Sequence, residues 1–100
     1  MKLFISQPMN GLTDDDIKTK REEIIKKVQE DFNDSTIEVI DSFIETAPPD
    51  AKPLWYLGKS LEFLSNADIV YFTKGWDKAR GCKIEHLCAV VYGIKNIITE

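Results

Sequence analysis

Only two cysteines and one histidine occur in the 100 residues, and that scarcity excludes several chemistries at once. Around His86 no four-ligand metal spacing can be assembled, so neither a metal nor a cofactor is expected. Cys82 and Cys88 stand six apart in a stretch of helical periodicity, more than one turn from each other, where a disulfide does not readily close. Buried or inert thiols are the expectation. The sequence also lacks any run of about 18 apolar residues, and Leu3 to Ile5 behind Met1 is too brief for a signal-peptide core. A basic face is missing too. Lys and Arg number 13 against 17 Asp and Glu, for a net charge of -4, with no Lys/Arg cluster, which argues against nucleic acid or an anionic membrane as partner. These absences point to a cytoplasmic protein with a small-molecule ligand.

What is present is 43% hydrophobic and 30% charged, the balance of one folded domain over residues 1–100. A chain this short buries roughly 60 to 70% of the surface its unfolded form exposes. The core is therefore thin, and any exposed apolar face is a candidate subunit contact in a homo-oligomer.

Four strand-like runs alternate with three helical ones, without repeats, low-complexity tracts or linkers. Lys2 to Ser6 (KLFIS) is the first strand, ended by the turn-prone Gln7-Pro8-Met9-Asn10-Gly11. Thr13 and Asp16 form a capping-box variant, Asp14 to Asp16 place acids in the first turn, and Ile17, Ile24 and Val28 recur at helical spacing. Residues 36–41 (TIEVID) make the second strand, and Pro53 suits the first turn of a helix whose stripe is Leu54, Leu57, Leu61 and Leu64. The nearly all-apolar run 68–73 (DIVYFT) fits a parallel strand covered on both faces. A loop over 74–80 precedes a third helix with Ile84, Leu87, Cys88 and Val91 as its apolar stripe, and Asn96 to Thr99 closes the chain as a short strand.

Such alternation implies right-handed βαβ crossovers and a parallel sheet. The expected fold is α/β, a small three-layer flavodoxin-like (Rossmann-like) domain with four parallel strands in the order 2-1-3-4. Strands one and three then flank the topological switch point, beyond whose carboxyl ends such sheets bind ligands. Two glycine-containing loops, residues 7–11 and 74–81, would face each other there.

The second of these, GWDKARGCKIEH over residues 75–86, feeds directly into the third helix, so its backbone N–H groups and Arg80 suit an anion such as phosphate. It is neither a Walker loop nor a GxGxxG motif. Glu85 falls just inside the helix, beside the apolar stripe. Its carboxylate either points along the edge into the cleft, kept ionised by the helix N-terminus, or merely complements the dipole.

The run 60–68 (SLEFLSNAD), a strand, then Gly75, Trp76, Gly81, Glu85 and His86 together resemble the nucleoside 2-deoxyribosyltransferase-like superfamily. Its nucleophilic glutamate lies four residues after a glycine, as Glu85 does after Gly81. The similarity is greatest to short, often phage-borne members that open with a strand and SQPMNG, here Ser6, Gln7, Pro8, Met9, Asn10 and Gly11, and carry a WYLGKS-type helix start, here at Trp55. It covers nearly the whole chain in order. One departure stands out: characterised members place a base-holding aspartate eight residues before the strand-opening Asp68, where this chain has Ser60.

The resemblance implies cleavage or transfer at the N-glycosidic bond of a (deoxy)nucleoside or nucleoside 5'-monophosphate. Glu85 would attack C1' and form a glycosyl-enzyme ester, which water or another base resolves. Residues 6–11 would hold a 5'-phosphate, and a neighbouring subunit would complete the pocket. For proton donation to the base, Asp77 is the first candidate and His86 the second, although Asp77 is equally a solvated loop carboxylate. His86 lies about 100° around the helix from Glu85, which suits a structural or subunit contact better than a direct pair. Trp76 is either a stacking platform for a base or a core residue. Arg21, on the apolar side of the first helix, is either a snorkelling stem or a phosphate ligand. Ser60, one turn from Tyr56, either offers a hydroxyl where relatives have a carboxylate or is an ordinary helix serine. The rival readings are a non-catalytic nucleotide-binding or sequestering protein and an NAD-type glycohydrolase.

Overall fold

Alternation of strand and helix runs through the whole chain in the computed structural model, which describes residues 1–8, 11–42, 44 and 46–100. The elements are β1 (Lys2–Ser6), α1 (Asp14–Asp31), β2 (Glu38–Val39), α2 (Pro53–Leu64), β3 (Ile69–Phe72), α3 (Arg80–Val91) and β4 (Asn96–Thr99), with a 3-10 turn at Trp76–Lys78. All strand pairs are parallel and the order is β2-β1-β3-β4. This is the small flavodoxin-like arrangement expected. Because α1 leads outward from β1 to β2 and α2 returns across β1 to β3, the switch point falls between β1 and β3. Their register pairs Leu3 with Ile69 and Ser6 with Phe72, so the two strands end level with each other.

Period-two alternation divides the core between the faces of the sheet. On the α1 face Leu3 and Ile5 pack with Ile69, Tyr71, Ile24, Val28 and Ile37. Toward α2 and α3, Phe4 packs with Val70, Phe72, Leu64 and Ala89. Both faces are covered, as befits a parallel sheet. The capping box of α1 forms as expected: Asp16 N–H donates to Thr13 Oγ1 at 3.1 Å and Thr13 N–H to Asp16 Oδ2 at 3.2 Å. Pro53 likewise sits in the first turn of α2.

Three expectations need correction. The second strand is shorter than residues 36–41, because Thr36 is taken up by a turn in which its N–H and hydroxyl both donate to Asp34 Oδ1, at 2.9 and 2.6 Å. On α2 only Leu64 is fully buried, Leu57 and Leu61 are half-buried, and Leu54 is exposed. On α3 the face turned to the sheet carries Cys82, Glu85 and Ala89; of the expected stripe Cys88 packs against the core and Ile84 is half-buried, while Leu87 and Val91 are 61% and 66% exposed. The reason is steric. Phe4, Val70 and Phe72 already fill that side of the sheet, so the helix approaches closely on Cys82 and Ala89 and leaves Leu87 and Val91 outward. No helix among the described residues is long and apolar enough to cross a membrane.

The register of α3 has a direct consequence for stability. Ala89 is fully buried, so Ala89→Leu should overpack the α3–sheet contact and lower unfolding stability by about 1–3 kcal/mol. Urea denaturation measures it; a neutral result would mean that α3 presents the Leu87 and Val91 side to the sheet instead.

Candidate active site

Ser6 is the last residue of β1 and shares the face of Phe4, so its side chain points toward α3. There its Oγ donates a hydrogen bond to Glu85 Oε1 at 2.9 Å, across 79 residues of sequence. Glu85 is the sixth residue of α3 and only 7% exposed. That places it beyond the first turn, where the influence of the helix dipole has faded, so the expectation of a carboxylate kept ionised by the helix N-terminus does not hold. Burial decides instead. It raises the Glu85 pKa to about 7, with the Ser6 hydrogen bond pulling the other way.

Cys82, three residues earlier, lies on the same helix face. Burial pushes its thiol up, a hydrogen bond with Ser6 opposes that shift, and the nearby Glu85 carboxylate adds to it. The thiol therefore stays protonated and is a poor nucleophile. Both cysteines are free.

Glu85 lies in the partition between two clefts. One, about 380 Å³, opens toward α2 and is walled by Leu54, Tyr56, Leu57, Ser60 and Ile84. The other, about 550 Å³, opens toward the end of β1 and is bounded by Gln7, Pro8, Lys78, Ala79 and Cys82. Arg80, Gly81 and Glu85 line both. The mostly apolar first cleft suits a flat heterocycle, and the polar second cleft suits a sugar or an anion. In its wall Gln7 is 9% exposed, and its Oε1 is shielded from solvent without a hydrogen-bond partner among the described residues.

The two loops do meet. Thr73 N–H donates to the Ser6 carbonyl at 3.0 Å, and a Cβ added at Gly75 would sit 3.8 Å from Pro8 Cγ. Gly75 opens the 3-10 turn at φ 90, a conformation that a side chain would strain. Of the residues singled out in the sequence, Ser6, Gln7, Pro8, Ser60, Arg80, Gly81 and Glu85 gather here. Met9 and Asn10 lie outside the described residues.

Others sit apart from the clefts. Asp77 is exposed on the 3-10 turn and lines neither cleft. Trp76 stacks on His86, ring centroids 4.2 Å apart at 25°, and both rings touch Phe72, at 5.5 and 5.0 Å. This face of Trp76 is therefore occupied, and His86 is held as a packing residue. Arg21 is half-buried away from both clefts, where its Nη2 donates to the Ile40 carbonyl at 3.5 Å. Burial lowers its pKa, against the attraction of Asp41. Gly11 is exposed at φ 80 and lines neither cleft. Cys82 is buried, as expected of an inert thiol, whereas the apolar wall of Leu54, Leu57 and Ile84 was not anticipated from the sequence. Among the described residues no group of three or more His, Cys, Asp or Glu side chains gathers as a metal site would.

No curated protein and no solved structure matches this chain. A family model described as a domain of unknown function (DUF4406) matches residues 1–98. That span includes Ser6, both clefts and the whole of α3, and the chain belongs to the DUF4406 family.

Proposed function

We propose that the protein cleaves or transfers at the N-glycosidic bond of a (deoxy)nucleoside or nucleoside 5'-monophosphate, with Glu85 as nucleophile. The observation that carries the reading is a buried carboxyl group, bonded to Ser6 Oγ at 2.9 Å, set in the partition between an apolar and a polar cleft. A nucleoside has that same division, a flat base joined to a hydroxylated sugar, and its C1' would lie at the partition. Ionised Glu85 forms a bond from Oε to C1' as the C1'–N bond breaks, and the electron pair of that bond leaves on the base nitrogen. The base takes up a proton from solvent or from a hydroxyl at the cleft. Tyr56 and Ser60, on the wall of the apolar cleft, are placed to hydrogen-bond the departing base. Water, or a second base, then attacks C1', frees Glu85 and loses a proton to solvent. Arg80, at the head of α3 and in both clefts, suits a 5'-phosphate.

One feature favours a second reading, a nucleotide-binding protein without turnover: Glu85 is the sole carboxyl group lining either cleft among the described residues. Neither cleft-lining set offers a carboxylic acid to protonate a base. An NAD-type substrate, whose pyridinium base departs neutral without a proton, belongs in the same panel.

The exposed outer side of α3, with Leu87, Val90, Val91 and Tyr92 at 53 to 85% exposure, together with exposed Leu54 and Tyr56 on the wall of the apolar cleft, supports a homo-oligomer in which a neighbouring subunit closes that cleft. On this reading Val91→Lys should shift the protein to monomer in light scattering and weaken base-side binding. A wild-type protein that is already monomeric at high concentration would contradict it.

Free base released from a panel of deoxynucleosides, nucleoside monophosphates and NAD, followed by chromatography, tests the reaction itself. Release by the wild type and its loss in Glu85→Ala is the expected pair of results. Turnover undiminished in Glu85→Ala removes the nucleophile, whereas tight binding without release by either protein favours the sequestering role.

Proton linkage supplies an independent check. The Glu85 pKa is about 7 when folded against an ordinary 4.5, so the native state holds its proton more tightly than the unfolded one. The stabilisation from this group is complete below pH 4.5 and is lost as pH rises through 7, a change of about 3 kcal/mol. Glu85→Gln has no such proton to lose. It should match the wild type near pH 4.5 and exceed it at pH 8 in denaturant unfolding. Activity runs the opposite way: kcat/KM of the wild type should rise about tenfold per pH unit below 7 and level off above it.

A further inference from the structure

We infer that Gln7 is a specificity-determining residue whose carboxamide oxygen accepts a hydrogen bond from the sugar hydroxyl next to the reacting carbon, so that the site selects ribosyl over 2'-deoxyribosyl substrates. The inference rests on the proposed reading of Glu85 and adds the sugar class to it.

A buried acceptor without a partner is unusual in a folded protein and costs stability wherever it occurs. Among the described residues Gln7 Oε1 has no such partner, and Gln7 stands in the wall of the same cleft as Glu85, Arg80 and Gly81. An apolar side chain of similar length at this position would carry no unmet hydrogen bond. The terminal torsion of glutamine is broad and soft, so turning the carboxamide toward a bound ligand takes little energy.

Polarity then decides what the ligand presents. A phosphate at neutral pH carries acceptors with little or no proton to donate, and faces a carboxamide oxygen with repulsion. A sugar hydroxyl donates. With C1' of the substrate against Glu85, the 2'-hydroxyl is one bond further along the ring, on the carbon beside it. Ser6, which touches the nucleophile, is followed at once by Gln7, and Gln7 lines the same cleft as Glu85, on the side where a sugar held at C1' would present its neighbouring carbon. A hydrogen bond to this hydroxyl strengthens as positive charge develops at C1' in the transition state. A site with a buried acceptor built for a hydroxyl also penalises the analogue lacking it, since the acceptor is then left unpaired.

The test compares matched ribo and 2'-deoxyribo nucleosides and monophosphates in the full-length protein, wild type against Gln7→Met. Wild type should favour the ribo member at least tenfold in kcat/KM. Gln7→Met should lose tenfold or more on ribo substrates, mainly in kcat, and stay within about twofold on deoxyribo substrates, collapsing the ratio. Its melting temperature should equal or exceed that of the wild type, which a residue with a purely structural hydrogen-bonding role would not allow. Gln7→Glu, which keeps the acceptor, should retain part of the ribo preference.

Calorimetric binding of the same pairs to Glu85→Gln separates this inference from the nucleophile assignment. Ribo-selective binding that Gln7→Met abolishes supports Gln7 even if no substrate turns over. Equal losses on ribo and deoxyribo members, or no ribo preference in either measurement, overturn it. So does a ribo-independent loss confined to monophosphates, because the amide would then be reading the phosphate through its nitrogen.

Discussion

Burying Glu85 takes a carboxyl group out of water where α3 presses on the ends of β1 and β3, and the hydrogen bond from Ser6 Oγ offsets only part of the cost of desolvation. An apolar residue at this position would pack without penalty, as Ala89 does one turn further on. The stripe that faces the sheet nevertheless runs Cys82, Glu85, Ala89. Stability is given up at one residue of an otherwise apolar contact, which is the pattern expected where local rules yield to function. The neighbouring groups are arranged to suit it: a serine at the strand end, a protonated thiol one turn earlier, and clefts on either side.

The topology provides the place for that residue. Since the crossovers from β1 and β3 run to opposite sides of the sheet, the two connections diverge beyond its carboxyl ends. The parallel register brings Ser6 level with Phe72, and the chain after Phe72 turns at Gly75 and re-enters as α3 within eight residues. The strand end and the start of the helix are therefore held together by short connections. A site built this way inherits the rigidity of the core, with Phe72 shared between the sheet and the Trp76–His86 stack.

Much of this architecture was legible in the sequence because β1, β3 and α1 follow single, uncontested patterns. KLFIS and DIVYFT are short apolar runs, and Thr13 with Asp16 closes the capping box it advertises. The register of α3 was legible only in part, since Cys88 of the expected stripe packs against the core whereas Leu87 and Val91 do not. Leu87 and Val91 make a better amphipathic template than Cys82, Glu85 and Ala89, and periodicity counts apolar residues without knowing how much room the sheet leaves. Phe4 and Phe72 leave little, which favours the smaller set. The same limit applies to β2, where Thr36 completes a turn around Asp34 in preference to extending the strand. At the site, Glu85 and Arg80 stood out by type and position, whereas the occupation of Trp76 by His86 depends on ring stacking that spacing along a helix does not encode.

If Glu85 is the nucleophile, its setting reconciles two opposing needs. Attraction between a carboxylate and the positive charge developing on a sugar is stronger in a dry, low-dielectric site than in water. The same dryness favours the protonated acid, which cannot attack. Deeper burial would leave too little carboxylate at neutral pH, and greater exposure would weaken its hold on the transition state. A pKa of about 7 lies between these extremes, and the Ser6 hydroxyl holds it there, because the hydrogen bond it donates favours the ionised form. On that reading the serine that ends β1 acts on the chemistry through the carboxylate, and its position follows from the period-two alternation that also places Phe4 in the core.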